Sequence, residues 1–240
     1  MNLTAFTSAV SSLIFTTRCP SCLEPIIEKI GRFGICVKCE KFLRNEVSVN
    51  FRGPLKIYAG SKYTPNISRI ILAAKEANHR EARIFLAQCL TSSLKKAILE
   101  VNSGRDKAVQ NVVLIPIPSR KLADRKRGFA HIELLLKQFM SMNQKTNFQV
   151  LDCLNHSRKI SDQSSLNFNE RAMNMKGAFS INPITYFEIY PTRNSNSAVF
   201  LVDDLVTSGA TVQAANCALF AHSGRVDGVL ASCATPGFTH

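Results

Sequence analysis

The chain has 240 residues, 45% of them hydrophobic, which is enough for one large domain or for a domain with a small module attached. Its formal net charge of +13 favours a polyanionic partner, such as a nucleic acid, a phosphorylated small molecule or an anionic membrane surface. A basic solvated surface is the alternative. No stretch approaches the roughly 20 apolar residues of a transmembrane helix, which argues against a helical membrane protein.

The N-terminal segment is apolar, but it has no Lys or Arg before Arg18. A signal peptide needs a basic region ahead of its apolar stretch. We therefore expect an amphipathic helix over residues 3–15 and a cytoplasmic location. A helix lying at a membrane interface is the alternative.

Two Cys-x-x-Cys pairs follow, Cys19 with Cys22 and Cys36 with Cys39. Two such knuckles can complete a tetrahedral four-sulfur site for Zn²⁺ with no open coordination position, which indicates a structural ion. A redox-active pair in each knuckle is the alternative, but neither pair follows a strand in a βαβ pattern. We predict a zinc ribbon within residues 1–45 that depends on its metal to fold.

The other four cysteines stand singly in apolar surroundings, and we expect them to be small buried hydrophobic residues. They are Cys89, Cys153, Cys217 and Cys233.

Residues 46–240 are predicted to form a second unit. Apolar runs and helical periodicity predict one or two strands over 47–63 broken at Gly53-Pro54, helix over 65–101 and a buried strand over 111–118. A basic loop and a helix near 128–141 should come next.

The rest of this unit continues the alternation of strand and helix. The predicted elements are a strand at 148–154, a long loop at 157–179, a surface connection at 182–197, a strand at 198–204, a helix at 209–222 and a strand at 226–235. This order predicts an α/β domain with a mostly parallel sheet.

The segment "VFLVDDLVTSGAT" (199–211) carries the most specific chemistry. Asp203 and Asp204 lie at the carboxyl end of a predicted strand, where open α/β sheets bind ligands. The small residues that follow lead into a helix, and Gly209 permits a positive φ. The free N–H groups and the dipole at the start of that helix suit a phosphate. Carboxylates beside such a loop predict a site for a ribose 5-phosphate.

Two other interpretations of this segment were considered. The acidic strand of a P-loop NTPase also ends in Asp-Asp, but that fold needs Gly-x₄-Gly-Lys-[Ser/Thr] upstream, and the sequence has none. In a purely structural interpretation, Asp204 is a turn residue and Thr207 or Ser208 caps the helix.

The segment resembles the ribose-phosphate loop of type I phosphoribosyltransferases. Four segments together resemble the ComF family: the cysteine ribbon, "PIPSRKLADRKRGF" (116–129), "DQSSLNFNERAMNMKGAF" (162–179) and 202–211. The resemblance covers nearly the whole chain. It implies a type I phosphoribosyltransferase-like sheet flanked by helices and preceded by the zinc ribbon.

By this resemblance Asp203 and Asp204 bind the ribose hydroxyls of 5-phosphoribosyl 1-diphosphate (PRPP), with Mg²⁺ held largely by substrate oxygens and water. The residues that would cradle the 5-phosphate are Thr207, Ser208, Gly209, Ala210 and Thr211. Arg125 and Arg127 would be catalytic, because cations beside the leaving diphosphate favour the transition state. Three further cations lie in the same segment: Arg120, Lys121 and Lys126. A solvated basic loop is the alternative.

The sequence also departs from the family. Ala130-His131 stands where many members have Asn-Gln, and His131 either replaces an amide donor or caps a helix turn. Gln163, Arg171 and Asn174 match family positions, where they would form a lid over the substrate or pin the long loop to the sheet.

Two functions are compatible with these features. The first is transfer of phosphoribose to an unknown nitrogen acceptor. The second, which the resemblance links to DNA uptake in natural competence, is binding or processing of single-stranded DNA together with competence proteins. Aromatic residues that lie near basic ones could stack on bases, although core packing is the alternative for each. They are Phe51, Tyr58, Tyr63 and Phe129.

Overall fold

A computed structural model describes residues 18–26, 31, 33–43, 47–157, 177–189 and 196–236. The helix predicted over 3–15 lies outside these residues. So does most of the predicted long loop, including Gln163, Arg171 and Asn174.

The described elements alternate between strand and helix along most of the chain. In order they are α1 (Val37–Leu43), β1 (Ser48–Arg52), β2 (Leu55–Ala59), α2 (Pro65–Glu76), α3 (Arg80–Ser103), β3 (Asn111–Pro116), α4 (Lys121–Arg127), α5 (His131–Met142), β4 (Asn147–Val150), β5 (Leu154–His156), β6 (Phe179–Ile181), α6 (Pro183–Ile189), β7 (Ser197–Val206), α7 (Ala210–Phe220) and β8 (Gly228–Ala234).

Six strands form one sheet in the order β1-β2-β8-β7-β3-β4. Only β1 and β2 pair antiparallel, as a hairpin that turns at Gly53-Pro54, and the other four pairings are parallel. This confirms the prediction of an α/β fold with a mostly parallel sheet. Because β3 and β7 are parallel neighbours, the segments that follow them emerge at the same edge of the sheet.

The two faces of the sheet carry separate hydrophobic cores. Helices α2, α3 and α5 pack on one face, against side chains that include Leu114, Phe200 and Leu230. Helix α7 and the antiparallel hairpin β5–β6 cover the other face, which includes Leu201 and Val229. Strands buried on both faces explain why β3 and β7 are nearly continuous apolar runs in the sequence.

Hydrogen bonds from polar side chains stabilise helices α2 and α3. Thr64 caps α2 by accepting a hydrogen bond from the Ile67 N–H at 3.3 Å, and Pro65 occupies the first turn. Buried hydroxyls tie α3 to β8, since Ser93 donates to the Ala231 carbonyl at 2.8 Å and Ser232 donates to the Leu86 carbonyl at 3.0 Å. These bonds hold α3 on the sheet, and α2 packs in the same hydrophobic core as α3.

Four local predictions need correction. Residues 121–127, predicted as a basic loop, form α4, and 183–189, within the predicted surface connection, form α6. The predicted strand at 148–154 is divided into β4 and β5, which belong to different sheets. Cys217 is exposed on α7, whereas the other three single cysteines are buried as predicted.

The cysteine-rich N-terminal segment packs on the main sheet domain. Cys19, Ile35, Cys39 and Leu43 share one hydrophobic core with α2 and α3. Arg69 of α2 also donates to the Ser21 carbonyl at 2.6 Å. The boundary near residue 45 stays a prediction. Within the described residues, no helix has the length and apolar character that crossing a bilayer requires.

Candidate functional site

Asp203 and Asp204 occupy adjacent positions near the carboxyl end of β7. Successive side chains of a strand face opposite sides of the sheet, so the two carboxylates have different surroundings. Asp204 is buried on the side of α2 and α5, and Asp203 is half-buried. The Asp204 N–H donates to Asp203 Oδ1 at 2.9 Å.

A lysine and a histidine from different helices contact the Asp204 carboxylate. Lys75 Nζ of α2 lies 3.3 Å from Oδ2. His131 Nε2 of α5 lies 3.2 Å from the same oxygen, within ion-pair range, although its N–H is not aligned for a hydrogen bond. Burial alone would raise the pKa of Asp204, but Lys75 and His131 reverse this and hold the pKa well below its ordinary value. Asp204 is therefore a fixed anion.

Asp203 has the opposite electrostatic character. Burial, and then the charge of Asp204, raise its pKa well above the ordinary value. The free protein therefore holds a carboxyl group that is costly to ionise beside one that is always ionised. A ligand that brings a cation or hydroxyl donors to Asp203 would relieve this cost.

The loop of residues 207–211 is built on Arg52 of β1. The buried Arg52 side chain donates from Nε to the Thr207 carbonyl at 2.9 Å and from Nη2 to the Thr235 carbonyl at 2.9 Å. Gly209 adopts a φ of +82°, and a Cβ at this position would lie 2.6 Å from Arg52 Cβ and Cγ. Glycine is therefore required here both for the backbone angle and for the close approach to Arg52.

This loop leads directly into α7, and most of its N–H groups have no partner among the described residues. Ser208 Oγ accepts from the Ala210 N–H at 3.4 Å, and Gly209 O accepts from the Gln213 N–H at 2.9 Å. Within the part of the chain that the structure describes, no acceptor meets the N–H groups of Ser208, Gly209, Thr211 and Val212. Unpaired N–H groups at the start of an eleven-residue helix are suited to an anion such as phosphate.

The cations after β3 divide into two groups. Lys121, Arg125 and Lys126 are exposed on α4. The Arg127 side chain is only 5% exposed, and its guanidinium lies 3.1 Å from Asp124 Oδ1 and donates to the Lys75 carbonyl at 3.4 Å. Arg127 thus braces the end of α2 that carries Lys75, whereas Lys121, Arg125 and Lys126 are open to an incoming anion.

A cavity of about 430 Å³ lies between α5 and strands β4 and β5. It reaches the segment after β3 at Pro118, Ser119 and Lys121. Its lining includes neither Asp203 nor Asp204, and no residue of the 207–211 loop. Only the segment after β3 is common to this cavity and the region predicted to hold the diphosphate.

The four cysteines predicted to bind metal converge on one point. The sulfur atoms of Cys19, Cys22, Cys36 and Cys39 all lie within 4.8 Å of one another, and those of Cys22 and Cys36 are 3.9 Å apart. A tetrahedral zinc site with bonds of about 2.3 Å places its sulfurs about 3.8 Å apart. The cluster could therefore hold a metal ion such as Zn²⁺.

Backbone donors already prepare this cluster for negative charge. The Cys36 N–H lies 3.4 Å from Cys19 Sγ, and the Cys39 N–H lies 3.4 Å from Cys36 Sγ. Burial would raise the pKa of Cys19, but backbone N–H groups, that of Cys36 foremost, lower it to about 7. Burial raises the pKa of Cys39 to about 12, so a cation is needed to bring all four thiols to the thiolate form.

Sequence reasoning missed two residues that support Asp204 and the 207–211 loop. Arg52 lies 155 positions before Thr207, and only the pairing of β1 with β2 at the edge of the sheet brings it under the loop. Lys75 stands in an ordinary amphipathic helix with no motif around it. His131 was singled out, but its contact with Asp204 was not foreseen.

Comparison with models of known protein families gives no match for this chain, and comparison with curated protein sequences gives none either. The site is therefore interpreted from its own geometry.

Proposed function

We propose that this protein binds PRPP with Mg²⁺ and transfers its phosphoribosyl group to a nitrogen acceptor, as a phosphoribosyltransferase-like member of the ComF family. One observation carries the proposal. The paired carboxylates of Asp203 and Asp204 lie a few residues before a glycine loop whose unpaired N–H groups open a helix. A vicinal diol and a monophosphate on one small molecule satisfy both halves of this arrangement.

Each half has a definite task in the proposed complex. The 5-phosphate accepts hydrogen bonds from the unpaired N–H groups of Ser208, Gly209, Thr211 and Val212. The buried Arg52 below the loop adds positive charge. Asp203 accepts from the ribose hydroxyls. Asp204 is already held by Lys75 and His131, so it acts mainly by fixing the end of β7.

In the transfer itself, the lone pair of the acceptor nitrogen forms a bond to C1 of the ribose as the C1–O bond breaks. The electron pair of that bond leaves with the diphosphate, and the nitrogen loses a proton to water. Arg125 and Lys121, exposed on α4, are the cations available to the departing diphosphate. Mg²⁺ would be held chiefly by substrate oxygens and water. Of the two aspartates, Asp203 is the one that could contact the ion, because it has no cationic partner within ion-pair distance among the described residues.

We also propose that the four-cysteine cluster holds a structural Zn²⁺. The convergence of the sulfurs and their N–H donors support this assignment. Because Cys19 and Cys39 belong to the core shared with α2 and α3, the ion would stabilise the helix layer that carries Lys75.

A second candidate function, binding of single-stranded DNA for competence, is supported by the exposed cations Lys121, Arg125 and Lys126 together with the net charge of +13. Among the four aromatic residues considered, Phe51 is 62% exposed, and Lys56 Nζ lies 5.9 Å from its ring centre. Tyr58 is buried and donates to Glu100, so it is unavailable for stacking.

Calorimetric titration with Mg-PRPP tests the first function. We expect binding by the intact protein that is lost in Asp203→Asn/Asp204→Asn. The matched control is Asp106→Asn, an exposed change outside the site that should bind normally. Absence of Mg-PRPP binding in the intact protein contradicts the proposal.

Titration with a labelled single-stranded oligonucleotide tests the second function. Steep salt dependence, weakened by Arg125→Ala, would support it. If the oligonucleotide binds and Mg-PRPP does not, the DNA function replaces the transferase function.

A further inference from the structure

The Arg52 side chain lies under the loop of residues 207–211, and its guanidinium is directed at backbone carbonyls. Nε donates to the Thr207 carbonyl at 2.9 Å, Nη1 to the Phe51 carbonyl at 3.0 Å and Nη2 to the Thr235 carbonyl at 2.9 Å. Each of the three nitrogens therefore bonds to the protein beneath the loop. Since Arg52 is also only 4% exposed, it can influence a bound phosphate only through the loop and not by touching it.

The bond to Thr207 determines which way the next amide group points. The peptide bond between Thr207 and Ser208 is trans, as are the others of the described residues, and the C=O and N–H of a trans peptide unit point in opposite directions. Arg52 Nε and Thr235 Oγ1 both donate to the Thr207 carbonyl, at 2.9 and 3.2 Å. The Ser208 N–H must then point away from Arg52, towards the outer side of the loop.

The aliphatic part of the same side chain supports the loop backbone. A Cβ on Gly209 would lie 2.6 Å from Arg52 Cβ and Cγ, so the backbone of Gly209 rests directly on Arg52. The Val206 carbonyl is also occupied, because it accepts from the Thr235 N–H at 3.0 Å. Arg52 and Thr235 thus engage the carbonyl oxygens at the end of β7, which leaves the loop to present N–H groups to a ligand.

Arg52 also carries a charge that no carboxylate neutralises. Within the described ranges, none of the ion pairs includes Arg52, and its hydrogen-bond partners are neutral carbonyl and hydroxyl oxygens. Burial lowers the pKa of Arg52, but an arginine stays protonated near neutral pH. A buried cation without a charged partner is costly in the free protein. An anion bound on the other side of the loop would offset part of this cost.

We propose that Arg52 is the positioning residue of the 5-phosphate site. It holds the Thr207 carbonyl so that the Ser208 N–H faces the ligand, and its uncompensated charge acts on the phosphate through the loop. Thr235 shares the first task through its hydroxyl group. This inference rests on the proposed binding of PRPP, and it adds two residues that determine the affinity of the loop for a phosphate without touching it.

Calorimetric titration with Mg-PRPP tests the role of Arg52. Arg52→Lys keeps the positive charge, but one ammonium group cannot replace a planar fork that bonds Thr207 and Thr235 together. We expect the Kd for Mg-PRPP to rise at least about tenfold, because a charge-assisted hydrogen bond to the loop is lost. Arg105→Lys is the matched control, since Arg105 donates to the Ser197 carbonyl at 2.8 Å at the opposite end of β7. It should leave this Kd unaltered.

Two variants of Thr235 test the same role with a smaller change. Thr235→Val removes the hydroxyl that bonds the Thr207 carbonyl and should raise the Kd for Mg-PRPP about threefold, whereas Thr235→Ser keeps the hydroxyl and should bind normally. Amide NMR spectra provide a readout that lost stability alone would not change. Mg-PRPP should shift the Ser208 amide proton downfield in the wild type and in Thr235→Ser, and by less in Thr235→Val.

These measurements separate the inference from the function on which it rests. If the intact protein does not bind Mg-PRPP, the proposed function fails and the positioning role falls with it. If the intact protein binds and Arg52→Lys binds equally well, the positioning role alone fails. A weakening in Arg105→Lys as large as that in Arg52→Lys would also overturn it. If Arg52→Lys does not fold, equal Kd values for Thr235→Val and Thr235→Ser overturn the inference, and the expected difference supports it.

Discussion

The contact between Lys75 and Asp204 offers the sharpest test of the electrostatics at this site. Lys75→Met removes the cation but keeps the length of the side chain. Removing one partner of a fully buried pair costs about 3–5 kcal/mol, whereas exposed pairs are worth about 0–1 kcal/mol. Asp204 is 4% exposed and Lys75 is 36% exposed, so screening at the lysine end applies. We expect a loss of about 2 kcal/mol.

A double-mutant cycle measured by urea unfolding at pH 7 isolates this interaction. Asp204→Asn removes the buried charge, so Lys75→Met should cost little in that background, and the coupling energy should be about 1–2 kcal/mol. Lys96→Met is the matched control, because its pairing with Glu100 at 3.2 Å lies on the surface of α3. It should cost less than about 0.5 kcal/mol.

The contribution of Asp204 to folding stability depends on pH with a definite sign. The pKa of Asp204 is lowered in the folded state, and its value in an unfolded chain is about 3.9. Its stabilising contribution is therefore complete above about pH 4 and declines as the pH falls below that value. The difference between the wild type and Lys75→Met should shrink over the same range. Equal costs for Lys75→Met and Lys96→Met, or an additive cycle, would refute this reasoning.

Three further predictions concern other parts of the molecule. The raised pKa of Asp203 makes its carboxyl destabilise the folded state increasingly as the pH rises above about 4, so Asp203→Asn should raise the urea midpoint of the free protein more at pH 8 than at pH 5; a lowered midpoint would contradict this. Gly209→Ala should cost at least about 1 kcal/mol more in urea unfolding than Gly128→Ala, since both glycines have positive φ but only Gly209 contacts Arg52; equal costs would show that the contact is unimportant. Elemental analysis should find about one Zn²⁺ per chain in the wild type and almost none in Cys39→Ser, which should also lose stability; a metal-free wild type with unchanged unfolding would exclude a structural ion.

The parallel strands could be predicted because a strand that is buried on both faces consists almost entirely of apolar residues. Strands β3, β7 and β8 are apolar runs, and each was located to within a few residues. The four-cysteine cluster could also be predicted, because the knuckle spacing itself determines that the sulfurs can meet. Both signals are local in sequence.

The missed elements lacked a local signal. Helix α4 has no buried apolar residue, so no apolar periodicity marked residues 121–127. Cys217 looks buried in sequence because its neighbours are apolar, but it falls on the outer face of α7.

The residues that support the candidate site could not be identified from the sequence either. Arg52 and Lys75 reach it from β1 and α2, and these contacts exist only after the sheet order is set. A charged residue in an edge strand or an amphipathic helix is usually solvated, so nothing in the sequence distinguished these two.

A crystal structure of the complex with Mg-PRPP tests the central claim most directly. The account predicts the 5-phosphate on the N–H groups of Ser208, Gly209, Thr211 and Val212 and the ribose hydroxyls against Asp203, with Arg52 unmoved beneath Gly209. A ligand found elsewhere, with both aspartates turned away from an empty loop, would contradict it.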